Sequence, residues 1–141
     1  MSINQLSVFV ENQAGRIGRI TQTLEAADVS IRGFSLADTA DYGIARLVVD
    51  KPAAGEAALK AAGFLVRSGE LLCVELPDKP GALDHVFTSF AEANINIEYA
   101  YSLVSTYVAI KVADIPAAEQ QLANQAVRLV NQDELEELVV S

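Results

Sequence analysis

A chain of 141 residues, 51% of them hydrophobic, carries enough apolar mass for one domain or two very small ones and too much for a disordered segment. Its 19 acidic residues outnumber 10 basic ones, leaving a formal charge of −9 and no Lys/Arg cluster for nucleic acid or an anionic membrane. No apolar stretch reaches the roughly 18 residues of a membrane span, and Met1-Ser2-Ile3-Asn4-Gln5 does not read as a secretion signal, so a cytoplasmic protein is expected.

In chain order, Leu6, Val8 and Val10 alternate with Ser7 and Phe9, which predicts a strand with one face in a core. After a glycine turn, Ile17, Ile20, Leu24 and Ala27 recur at helical spacing, and Asp28 ends that helix. A second strand follows over 29–36, a turn over 38–43 and a third strand over 44–49. Pro52 opens an alanine-rich helix that Gly63 stops, with a short fourth strand at 64–66. Ser68-Gly69-Glu70 reads as a linker, and the order then begins again.

The repetition is close. Asn12-Gln13-Ala14-Gly15-Arg16-Ile17 returns as Asp78-Lys79-Pro80-Gly81-Ala82-Leu83, 66 positions later (12 to 78). Leu72, Val74 and Leu76 answer Leu6, Val8 and Val10, and Leu83, Val86, Phe90 and Ala93 answer Ile17, Ile20, Leu24 and Ala27. Beyond Asn94-Ile95-Asn96-Ile97 the offset falls to 64, aligning Asp114 and Pro116 with Asp50 and Pro52. Residues 127–130 close the second unit, and 133–138 add a terminal helical turn. Each unit reads βαββαβ, a ferredoxin-like order, with one repeat at 1–69 and the other at 70–141. Units this small are expected to pack together as one rigid body.

A glycine between strand and helix frees the backbone, and the helix start beyond it presents unpaired N–H groups suited to a carboxylate. Asn12 and Asp78 are expected first of all to cap those helices, with orienting a ligand amine the alternative. Arg16 and Arg19 oppose the helix dipole at roughly 0.3–1 kcal/mol each, so an anionic ligand, a carboxylate of the neighbouring unit or full hydration should offset them. Tyr99, Tyr101 and Tyr107 suit an interface between modules or subunits. Cys73, the single cysteine, excludes an internal disulfide and a multi-cysteine metal site and reads as a small strand residue that alternates with the core face. His85 is expected on a helix surface. No catalytic constellation, metal-ligand spacing or cofactor motif is legible.

The strand that ends in Asn/Asp-x-x-Gly-Arg/Ala-Ile/Leu, with its helix and the following Val/Ile-Ser/Asn-Ile, resembles the ACT domain, a βαββαβ module that senses amino acids and related small molecules. The resemblance covers essentially the whole chain, once per repeat. The second copy matches better, because the first has Ala14 where the family often has proline, and Arg16 and Gly18 at the helix start. It implies a free-standing tandem pair, an α+β fold of antiparallel sheets packed side by side with helices on one face. It also implies a ligand between modules, held by the glycine turn of one and the second strand of its neighbour. Carried over, the turns are Asn12, Gln13, Ala14, Gly15, Arg16, Ile17 and Asp78, Lys79, Pro80, Gly81, Ala82, Leu83, and the strands contribute Ser30, Ile31, Asn96 and Ile97.

The expected protein is thus a regulatory sensor of a small molecule, an amino acid first of all, and not an enzyme. It is expected to form a homodimer, since a tandem pair still leaves sheet edges to cover, and to act on an enzyme partner. A small enzyme on the same scaffold or a pure protein-interaction module are the alternatives. An RNA-binding module of the same order would need basic charge around stacking aromatics, which is missing.

Overall fold

The computed structural model describes residues 2–11, 13–38, 42–125 and 127–138. Strand β1 (Ile3–Glu11) alternates as its sequence predicts: Leu6, Val8 and Val10 enter one core, while Ile3 and Gln5 are buried on the opposite face. Helix α1 (Arg16–Ala26) lays Ile20 and Leu24 onto the first of these cores. Then come β2 (Ile31–Asp38), β3 (Tyr42–Val49) and α2 (Pro52–Ala61), whose Pro52 stands in the first turn as expected. The hairpin strands reach further than predicted, so Asp38, Tyr42 and Gly43 of the expected turn are strand, and 39–41 lie outside the described residues.

The linker reading is wrong. Ser68, Gly69 and Glu70 lie in the middle of a continuous strand, β4 (Leu65–Glu75), paired in register with Leu6, Gln5 and Asn4 of β1. Serine, glycine and glutamate signalled a loop, but their backbone groups are satisfied by the ladder, and Ser68 and Glu70 turn their side chains to solvent. One strand therefore closes the first repeat and opens the second. It continues into α3 (Ala82–Glu92), β5 (Tyr99–Ser102), β6 (Tyr107–Lys111), α4 (Ile115–Ala123), β7 (Arg128–Leu129) and the short α5 (Gln132–Glu137). Both repeats run βαββαβ, in a sheet of order β2-β3-β1-β4-β6-β5, with β7 also on β4.

Parity along β4 places the helices. Val66 joins the core under α1 and α2; Leu72 and Val74, on the same face of the same strand, join the core under α3 and α4. All four long helices thus cover one face. The other face holds a third core: Ile3 and Val48 from the first repeat against Leu71, Cys73, Tyr107 and Ala109 from the second. The sheet curls around this core until its two ends meet. Gly33 of β2 bridges Leu103, just beyond β5, and the Val104 amide donates to the Arg32 carbonyl at 2.7 Å. A Cβ at Gly33 would lie 2.2 Å from the Leu103 Cδ2 and 3.1 Å from its Cα, so glycine is what allows this closure.

The enclosed face is not wholly apolar. Gln5, only 4% exposed, donates from Nε2 to the Tyr99 hydroxyl at 2.8 Å and accepts from the Tyr101 hydroxyl at 2.6 Å. The tyrosine rings stack 6.4 Å apart, and the Arg46 guanidinium lies 4.0 Å from the Tyr99 centroid. Tyr99 and Tyr101 therefore do work at a module interface, within the chain. Cys73 is buried on the same face, and desolvation pushes its thiol up to about 12, which keeps it neutral at physiological pH.

Candidate functional site

The two glycine turns are built alike. Gly15 (φ 87°) and Gly81 (φ 89°) stand at the N-caps of α1 and α3 in the left-handed region, where a side chain is strained. The Gln13 carbonyl accepts from the Arg16 amide at 3.2 Å and the Lys79 carbonyl from Ala82 at 3.4 Å, each closing its turn. Glycine here has a conformational task of its own. Asp78 does not cap α3: Gly81 occupies the cap position and no side chain bonds to it. Asn12 lies outside the described residues.

Both arginines have partners inside the first repeat, but Arg16 Nε is buried with no hydrogen-bond partner among the described residues. Arg16 Nη2 is 3.7 Å from the Glu11 carboxylate, at the end of the preceding strand. Arg19 stands 5.3 Å over the Phe64 ring and donates to the Ala62 carbonyl at 3.5 Å. His85, in the matching position of α3, is exposed as expected.

The structure keeps the two turns apart. The Gly15 turn follows β1 beside the start of β4, because Phe9 pairs with Leu65, whereas the Gly81 turn follows the end of β4. The eleven residues of β4 span roughly 33 Å between them. A ligand on the Gly81 turn is therefore beyond reach of Arg16 in the same chain. Each turn has a hollow of its own. One of about 220 Å³ includes Arg16 and Arg19, and one of about 390 Å³ includes Lys79, Pro80, Gly81 and Ala82. Gln13, Ala14 and Leu83 are exposed. Ser30 is tied to Asp50, its amide donating to Oδ1 at 2.8 Å. Asn96 is exposed and Ile97 packs into the core under α3, both ahead of β5, which begins only at Tyr99.

A cavity of about 580 Å³ lies elsewhere, where the repeats meet at the closure. Ile17, Ile20 and Thr21 of α1 form one side, and Ala45 and Leu47 of β3 and Ile31, Phe34 and Leu36 of β2 line it further. Ser102, Leu103 and Val104 of the second repeat complete it. Of the expected site residues it takes in Ile17 and Ile31 only. Phe34 (68% exposed) and Leu36 (52%) stand at its rim. Among the described residues Arg32 is its one charged lining residue, with Nε donating to the Leu135 carbonyl of α5 at 3.1 Å. An apolar hollow with a few polar groups is the usual form of a small-molecule site. Thr21, Arg32, Phe34 and Leu36 also line it and were not among the expected site residues; their one sequence signal is that they differ from the residues at matching positions of the second repeat.

Among the described residues no helix is long and apolar enough to cross a membrane. No curated protein sequence matches the chain. Among solved structures, a protein of Bacteroides thetaiotaomicron, BT0572, is similar at 30% identity and a TM-score of 0.91, covering 98% of each chain. The ligand-free regulatory subunit of aspartate kinase from Thermus thermophilus shares the fold at a TM-score of 0.64 and 17% identity, over 87% of this chain and 92% of that one. Its counterpart from Thermus flavus does so at 0.59 and 16%, over 86% and 90%. The family model described as an ACT domain pair matches residues 1–139, and with both repeats, their shared strand and their paired glycine turns in view, the chain belongs to the ACT domain pair family.

Proposed function

We propose that this ACT domain pair is a regulatory protein, not an enzyme, that binds a small molecule, an amino acid or a close relative, in the cavity between its repeats. The observation that carries the reading is the cavity itself, built by both repeats where the sheet closes. A ligand there touches α1, β2 and the β5–β6 turn together, so binding is coupled to how the repeats sit against each other. The similarity to regulatory subunits of aspartate kinase supports the fold and suggests a regulated enzyme as partner.

A thermal-shift screen of the common amino acids tests this, since a ligand at a hundred times its Kd adds about 2.7 kcal/mol to the folded state. Calorimetry with the best hit then compares wild type with Gly81→Ala. The variant is expected to be less stable by about 1 kcal/mol, because alanine disfavours φ near +90°, and to bind with unchanged affinity. A Kd weakened tenfold would move the site to the Gly81 turn, and silence of the whole screen at millimolar concentration would remove the sensor reading.

The same edge supports self-association. β2 is an outer strand of the sheet; the closure covers it at Arg32 and Gly33, while Phe34 and Leu36 beyond are exposed, and such edges are usually covered. We infer a homodimer through β2, expected to sediment at twice 15.1 kDa at micromolar concentration and to dissociate in Leu36→Lys. A single 15.1 kDa species for wild type would rule it out.

A further inference from the structure

The two repeats differ at the cavity in a consistent way. Thr21 of α1 corresponds to Phe87 of α3, between the matching buried pairs Ile20/Val86 and Leu24/Phe90. Ala45, opposite Val8, corresponds to Val108, opposite Val74. On the outer strands the sizes reverse: Phe34 and Leu36, opposite Leu47 and Ala45, correspond to Ala100 and Ser102, opposite Ile110 and Val108. In the second repeat Phe87 packs against the core with Val108 and Ile97, and the neighbouring strand positions are small. In the first repeat the ring is missing, the floor is lower by two methyl groups at Ala45, and the 580 Å³ cavity opens there, rimmed by exposed Phe34 and Leu36. The Thr21 hydroxyl donates to the Gly18 carbonyl at 2.9 Å, so it asks nothing of a ligand.

We infer that the first repeat binds an apolar group of phenyl or isobutyl size between α1 and β2, that the ligand supplies there what Phe87 supplies in the second repeat, and that each chain holds one such site. This rests on the reading of the junction cavity as the ligand site and adds the chemical class and the stoichiometry. The ligand class is a small molecule with an aromatic or branched aliphatic side chain.

Methyl-detected NMR of the full chain tests it, with L-phenylalanine, indole and L-serine as probes. Phenylalanine and indole are expected to shift the Ile17, Ile20, Ile31 and Leu103 methyls with one site per chain, and serine to bind at least tenfold more weakly. Thr21→Phe should abolish the response, and Thr21→Leu, a smaller change should the first variant not fold, should weaken it about tenfold. Phe87→Ala should open a second site and shift the Ile97 and Val108 methyls as well. Serine binding as tightly as phenylalanine, or full binding in Thr21→Leu, would overturn the inference while leaving the junction as a ligand site. Junction methyls that respond to none of the three probes but do respond to another amino acid from the thermal screen would overturn the inference alone, and junction methyls that respond to no amino acid would overturn both.

Discussion

Severing the chain between Gly69 and Glu70 is expected to leave neither half folded. The cut falls inside β4, whose Leu65–Leu71 part pairs with β1 and whose Leu72–Glu75 part pairs with β6. It also divides the third core, parting Ile3 and Val48 from Leu71, Cys73, Leu103, Tyr107, Ala109, Val130 and Leu135. Fully burying a Val, Leu or Ile is worth roughly 1.5–3 kcal/mol, so exposing even half of that core removes about as much as the 5–15 kcal/mol net stability of a whole domain. The terminal helix reaches back in the same way: Gln132 accepts from the Asn4 amide at 2.8 Å and Leu135 from Arg32. Far-ultraviolet circular dichroism of the separately expressed halves checks this. Two cooperative melts near the temperature of the intact chain would show that the shared strand and core contribute little, and that the repeats are independent modules.

Gln5→Leu should cost about 2–4 kcal/mol, several degrees to roughly 15 °C in Tm at this chain length. Leucine fits the volume but removes both the donor to Tyr99 and the acceptor for Tyr101. A buried hydroxyl left without a partner costs about 1–3 kcal/mol. Burial holds the Tyr101 hydroxyl well above the ordinary tyrosine range, which marks its surroundings as poorly solvated. The triple variant Gln5→Leu, Tyr99→Phe, Tyr101→Phe is expected to recover most of the loss, because no polar group is then stranded between the repeats. Denaturant unfolding of the single and triple variants decides it. A Gln5→Leu protein within 0.5 kcal/mol of wild type would mean that water satisfies the hydroxyls and the cluster contributes nothing (a threshold of about the usual surface effect).

Although Ile17, Leu83 and Ala93 of its helical stripes are exposed and the third core escaped it, the sequence alone determined the duplication, the βαββαβ order and much of the two cores under the helices. Those are periodic, local properties: Leu6, Val8 and Val10 face a core because side chains alternate along any strand, and Ile20 and Leu24 share a helix face at any site. Tertiary structure decided the rest. Ser68-Gly69-Glu70 is strand and not linker because β1 supplies its hydrogen-bond partners, and that pairing is between residues far apart in the chain. The two glycine turns, alike in sequence, lie at opposite ends of β4 because the strand passes straight from one repeat to the other. The unequal pair Thr21 and Phe87 was legible as an offset of 66 (21 to 87), but not its consequence. A missing ring makes a cavity only where Gly33 lets the curled sheet close on Leu103 and no other side chain moves in to fill the space.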